Sequence, residues 1–348
     1  MRRQAELNRF GYTKLALIGN TIVSLGIIMV TAGGSWDITN HILNKPETFF
    51  APPHTVLYSG VAAALFGFLI LYVAWRNSGM PQKLKSGIKI SGLGIGLLLI
   101  AGPTDFLWHS HFGLDGLLSP PHLVLISGMI LSAVGALVNL TRFTRQSGKP
   151  TWFVIVISLV PVWLSVTGLF YSFSLPFSET DYFDFNPHPV FAAIFASLSY
   201  PFLISTILVM ASILSGNRFG VASMAGGSYL AIMSLTAILP NHSIADTIPF
   251  YFLNVIPIVV GDLVISVGKG TKTPYIAGAI FGSSFFLMYY PLITYTYNEI
   301  LFERVMWPSL TAKVYFEMFL LILPILACVG ALTGVFGAKF ARKIDKIM

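Results

Sequence analysis

The chain has 348 residues, of which 55% are hydrophobic and only 10% charged, and its mean hydropathy is +0.76. Soluble domains carry charge on about a quarter of their residues, so this composition excludes a water-soluble globule and predicts an all-α, polytopic membrane helical bundle. Lys and Arg number 21 against 14 Asp and Glu, for a net charge of +7, and the one cysteine, Cys328, excludes disulfide frameworks, thiolate zinc sites and CxxC redox chemistry.

Arg2, Arg3 and Arg9 lead into a first apolar segment at residues 13–34. It ends in GGSWD with no small-x-small cleavage signature, so it reads as a membrane helix and not as a signal peptide. Further apolar segments follow at 55–75, 88–107, 122–141, 152–171, 188–214, 219–240, 249–267, 275–292 and 314–337. Each approaches the length that spans a bilayer, which gives about ten transmembrane helices. No linker or soluble module interrupts them, so residues 1–348 read as a single transmembrane domain. It comprises one hairpin over 13–75, a second over 88–141 and six further helices over 152–337.

Eighteen of the 21 cations fall in alternate connections and at the two ends, leaving only Lys45, Arg304 and Lys313 on the other face. The positive-inside rule then predicts that both termini are cytoplasmic and the protein resides in the plasma membrane. Because the cations are dispersed over short loops and form no stripe or arm, no nucleic-acid partner is expected. The lipid bilayer is the expected surrounding.

On this topology all seven histidines and ten of the 14 acids lie on the extracytoplasmic face. Two stretches there match 68 residues apart: GSWDITNHILNKPETFFAPPHTVLYSG at 34–60 and GPTDFLWHSHFGLDGLLSPPHLVLISG at 102–128. Both obey G-x2-D-x3-H-x10-P-P-H-x-V-L-x-S-G, the signature of a duplicated helical hairpin. Asp37 with His41, and Asp105 with His109, stand at i, i+4 on one helix face. The Pro-Pro pair then brings His54 or His122 to the first turn of the returning helix. One carboxylate and two imidazoles per hairpin form a ligand set suited to copper, iron or zinc with coordination positions left open. The alternative is that these groups cap helices and bond one another at the headgroup level.

Weaker echoes follow. Asp184 and His188, in DFDFNPHPVFAAIFAS, again place a His beside Pro at a helix start, and His242 with Asp246 lies in LPNHSIAD. These read as degenerate copies or as a third site completed across helices. His111 is a candidate for a group behind the ligands or for a substrate-side base. Trp36, Trp108, Phe49, Phe50 and Phe106 are placed to wall a pocket or to form an interfacial aromatic belt.

The D-x3-H-x12-H spacing, with its second His inside FxPPHxVLxSG, resembles the C subunit of the copper-dependent membrane monooxygenases, the particulate methane and ammonia monooxygenases. The likeness covers roughly residues 30–140. It implies one copper site at Asp37, His41 and His54. A second is implied at His109 and His122, with Asp105 replacing the family's Asn. It also implies O2-dependent oxidation of a small substrate such as ammonia or a hydrocarbon. The last six helices have no counterpart in that subunit, and a cupredoxin-like partner would be a separate chain. A non-haem iron enzyme, a metal-handling or transport protein and a non-catalytic accessory membrane subunit remain as competing readings. Transport would call for ionisable groups at mid-membrane, where only Asp262 clearly stands.

Overall fold

The computed structural model describes residues 2–42, 48–79, 81–113, 115–147, 151–174, 187–240, 248–285 and 323–347, with single positions between them. Every regular element there is helical: α1 (Arg2–Ile42), α2 (Pro52–Asn77), α3 (Gln82–Phe112), α4 (Pro120–Ser147), α5 (Trp152–Ser174), α6 (Pro189–Leu214), α7 (Val221–Ile238), α8 (Ile248–Phe252), α9 (Val255–Val267), α10 (Thr273–Ser284) and α11 (Leu323–Ile347). Eight of these are long and apolar enough to cross a membrane, which makes the chain a multi-pass membrane bundle.

Helix ends depart from the apolar segments in an instructive way. The first segment, expected at 13–34, belongs to a helix of 41 residues, about 60 Å at 1.5 Å per residue and twice the hydrocarbon thickness. Likewise α3 runs through Phe112, beyond the expected end at 107. Hydropathy marks where the hydrocarbon stops, whereas the backbone ladder continues through polar residues. Asp37, Asp105 and His109 therefore sit on helix and not on loop. The segment expected at 249–267 is broken, because α8 stops at Phe252 and α9 starts at Val255 after the buried Asn254. The ninth expected segment is described only as α10, and the first part of the tenth lies outside the described residues.

Glycine decides how closely the helices pair. A Cβ built on Gly26 would lie 2.7 Å from the Gly60 carbonyl oxygen, and one on Gly19 2.7 Å from that of Gly67. In the next hairpin a Cβ on Gly94 would meet the Gly128 carbonyl oxygen at 2.7 Å, and one on Gly87 that of Gly135 at 2.9 Å. Both crossings are antiparallel, and each position in the second lies 68 residues after its counterpart in the first. Such close approach of backbones is how membrane helices gain contact where apolar burial offers little advantage over lipid. Gly278 and Gly282 of α10 meet Gly334 and Gly330 of α11 in the same manner.

The two hairpins join through α1 on α4, where Asn139 Nδ2 donates to Asn20 Oδ1 at 3.4 Å with both residues buried. Next comes α5, against α1, α4, α6 and α7. Its Trp163 stacks on Tyr229 of α7 with centroids 4.1 Å apart. Asp262 of α9 is fully buried, and its Oδ2 accepts from Gly220 N, Ser223 N and Ser223 Oγ at 3.0, 2.9 and 2.7 Å. It thereby satisfies the otherwise orphaned first turn of α7. The mid-membrane carboxylate considered for transport is thus a helix cap.

Candidate metal centre

The ligand-bearing ends are built the same way in both hairpins. Ala51 is extended (φ −53°, ψ 149°), and α2 then opens on Pro52 and Pro53 with His54 in its first turn. Pro is preorganised for that position. His54 turns its Nδ1 to the Thr48 carbonyl oxygen at 3.0 Å. His122 turns its Nδ1 to the carbonyl oxygen of Gly116 at 3.2 Å, again six residues earlier, and to Ser119 Oγ at 2.8 Å. A carbonyl only accepts, so Nδ1 donates to it and Nε2 is the nitrogen turned toward the site.

That nitrogen faces a carboxylate. His54 Nε2 lies 3.2 Å from Asp37 Oδ1, and His122 Nε2 lies 3.3 Å from Asp105 Oδ1. His109 joins the second group with Nε2 at 3.6 Å from the same Asp105 oxygen, and its Nδ1 is 2.9 Å from the Gly113 carbonyl oxygen. Gly113 ends α3 with φ +78°, a conformation that favours glycine, and so aims that carbonyl back at the ring. Among the described residues Asp105, His109 and His122 are the one cluster of three or more such groups able to share an ion, with ligand atoms within 4.8 Å of one another.

The other expected site residues fall variously. His41 is on α1 but its side chain lies outside the described residues, so the first site is seen as Asp37 with His54. Asp184 and Asp246 also lie outside them. His188 is exposed and serves as the N-cap of α6, its Nδ1 accepting from Val190 N at 3.3 Å. His242 is exposed, and so is His111, whose Nδ1 lies 3.5 Å from Ser110 Oγ.

One residue escaped sequence reasoning. Asp115 is 3% exposed and lies between the two imidazoles of the second hairpin, its Oδ1 3.7 Å from His122 Nδ1 and 4.0 Å from His109 Nδ1. Its Oδ2 accepts from Trp108 Nε1 at 2.5 Å. It is a buried carboxylate on the side of both rings that faces away from Asp105. The available signal was Glu47, the acid 68 residues before it.

The two groups face one cavity of about 70 Å³, lined by Asp37, His54, Asp105 and His122 together with Leu57, Leu125, Ile126, Met129, Leu164 and Met233. A water needs roughly 10–15 Å³ on this measure, so the space admits several waters or one small molecule. Tyr58 and Tyr171 are the aromatic residues in its wall. Of the two placements expected for Trp36, Trp108, Phe49, Phe50 and Phe106, the cavity wall is not the one seen, since none of the five lines it. Trp108 is engaged by Asp115, Phe50 is 76% exposed, and Phe49 packs edge-on against Phe106 with centroids 5.1 Å apart.

Fold and site together define a multi-pass helical membrane protein with an Asp-His-His cluster able to hold a metal ion. No protein-family model, curated protein or solved structure matches the chain.

Proposed function

We propose that the chain is a plasma-membrane metalloprotein with about ten spans and cytoplasmic termini. It binds one first-row transition metal at Asp105, His109 and His122, and a second at Asp37 and His54 with His41. The observation that carries this reading is the approach of imidazole nitrogens to carboxylate oxygens. Three Nε2 atoms face carboxylate oxygens at 3.2–3.6 Å, an arrangement that a cation, proton or metal ion, holds together. A proton could serve for one ring. Two imidazoles converging on one Asp105 oxygen would then both be cationic and repel each other, whereas a metal ion satisfies all three groups at once.

The metal we assign is copper, on the resemblance of both motifs to the C subunit of the copper membrane monooxygenases. The duplicated spacing and the glycine crossings offset by the same 68 residues support descent of both sites from one hairpin. Such a metal, bound with open positions, supplies O2-dependent oxidation of a small substrate. The chain's own residues then orient the imidazoles through backbone carbonyls, restrict water to a small cavity and hold the substrate against the apolar wall. A second reading, non-haem iron, is favoured by the carboxylate at Asp105, since two His and one carboxylate suit Fe(II). Cupredoxin-like or other membrane partner subunits belong to the first reading.

Elemental mass spectrometry on the full-length protein in detergent tests the proposal. About two copper ions per chain are expected, falling by one in His54→Ala and by one in His122→Ala. Stoichiometric iron would transfer the assignment to the second reading, and a metal-free protein from metal-replete cells would refute both.

A further inference from the structure

A second built surface lies at the other end of the bundle. Thr167, Gly168 and Tyr171, near the end of α5, line the histidine cavity, and Phe173 packs on Phe191 at the start of α6. The start of α6 therefore belongs to the histidine end. Ser205 Oγ donates to Gly278 O, and Tyr200 stacks on Phe285 with centroids 5.2 Å apart, so α10 runs antiparallel to α6. Because α11 is antiparallel to α10 through the glycine pairs, its C-terminal turns emerge at the opposite end.

Those turns carry Lys339, Arg342, Lys343 and Lys346, spaced i, i+3, i+4 and i+7 and so on one helix face. The same face bears Phe336, one turn deeper than Lys339, and Phe340, one turn deeper than Lys343, which are 61% and 44% exposed on a membrane-spanning helix. The cations and these rings line a groove of about 530 Å³ floored by Phe202 of α6 and Tyr275 of α10. Arg342 is fixed at its rim: Nη1 donates to Tyr275 Oη at 2.8 Å and to the Thr271 carbonyl oxygen at 3.4 Å, and the guanidinium lies 5.3 Å from the Tyr275 ring centre. Asp345 is the single acid in these turns.

General cytoplasmic positive charge needs neither a groove nor an aromatic floor. An apolar trough rising into four cations on one face matches one ligand chemistry: acyl chains below and a phosphodiester at the headgroup level. We propose that this groove seats an anionic phospholipid. Its phosphodiester lies among Lys339, Arg342 and Lys343, and its chains lie against Phe336 and Phe340.

The test is native mass spectrometry on the full-length protein in detergent, titrated with phosphatidylglycerol or phosphatidylcholine. Phosphatidylglycerol should be retained about tenfold more strongly. Lys339→Gln with Lys343→Gln, both exposed, should abolish that preference with the unfolding temperature unchanged, while Lys83→Gln with Lys85→Gln, cations of another connection, should leave it intact. Equal retention of the two lipids overturns the proposal. So does an equal loss in the second double variant, which would mean undirected charge, and so does displacement of the lipid by equimolar inorganic phosphate, which would mean a free-phosphate site.

Discussion

His122 Nε2 and Asp105 Oδ1 face each other across 3.3 Å, while Nδ1 of the same ring is turned to the Gly116 carbonyl oxygen and Ser119 Oγ. On the proposed metal-binding reading an ion shared by these atoms ties α3 to α4, so the protein is expected to be more stable loaded than empty. Chelation should lower its unfolding temperature in detergent, removing about 3–4 kcal/mol of stability for an ion at a hundred to a thousand times its dissociation constant. Differential scanning fluorimetry with and without chelator checks this. The same treatment should shift His122→Ala less than the parent.

Asp115 gives a prediction separable from ligand loss. Asp115→Asn keeps an oxygen for Trp108 but removes the charge behind both rings, and metal affinity should fall about 10–100-fold. Competition against a chromophoric chelator measures it. Unaltered affinity would reduce Asp115 to an anchor for Trp108.

Two glycines of α3 should respond in opposite directions to the same change. In Gly94→Ala the new Cβ would lie 2.7 Å from the Gly128 carbonyl oxygen, so the hairpin must open at a cost of about 1–3 kcal/mol. In Gly96→Ala it meets nothing within 4 Å, and the change should stabilise α3 by up to about 1 kcal/mol. Thermal unfolding of the two variants side by side decides the point.

The cavity can be filled without touching a ligand. Gly168 lines it, and a Cβ there meets nothing within 4 Å. Gly168→Leu should leave metal content unaltered while blocking binding of nitric oxide to the loaded protein, followed by its optical or paramagnetic resonance signature. Undiminished nitric oxide binding would show that small molecules reach the metal by another route.

Asp262→Leu should destabilise the packing of α7 on α9 by about 1–3 kcal/mol, because two part-buried N–H groups at the start of α7 lose their acceptor. Metal content should be retained. A large loss of metal in this variant would link α7 to the site more directly than the packing does.

The membrane spans were legible because hydrocarbon imposes its length on the sequence. Pairing of Asp37 with His54, and of Asp105 with His109 and His122, was legible because an i, i+4 pair and a Pro-Pro helix start leave little geometric freedom. Where α1 and α3 end was not, since the backbone ladder runs on unbroken past the point where hydropathy falls. Asp115 was missed because its loop has no periodicity, although Glu47 stands at the matched position. The shared cavity depends on how α1, α4, α5 and α7 pack side by side, and no local pattern encodes that. His188 shares the pattern of His54 and His122, a His beside Pro at a helix start, and its Nδ1 caps α6 where theirs turn to a carbonyl. The same residue type serves either purpose, and only the group opposite distinguishes them.

The glycine crossings also govern the ligand ends. Where main chain rests on main chain, no rotamer is available to lengthen or shorten the gap. The separation of each Asp from its returning His is therefore a property of the hairpin itself. A thicker or thinner bilayer can tilt the hairpin as a unit, but it cannot pry the jaws apart. The coordination geometry offered to a metal should accordingly be the same in detergent as in membranes of different thickness.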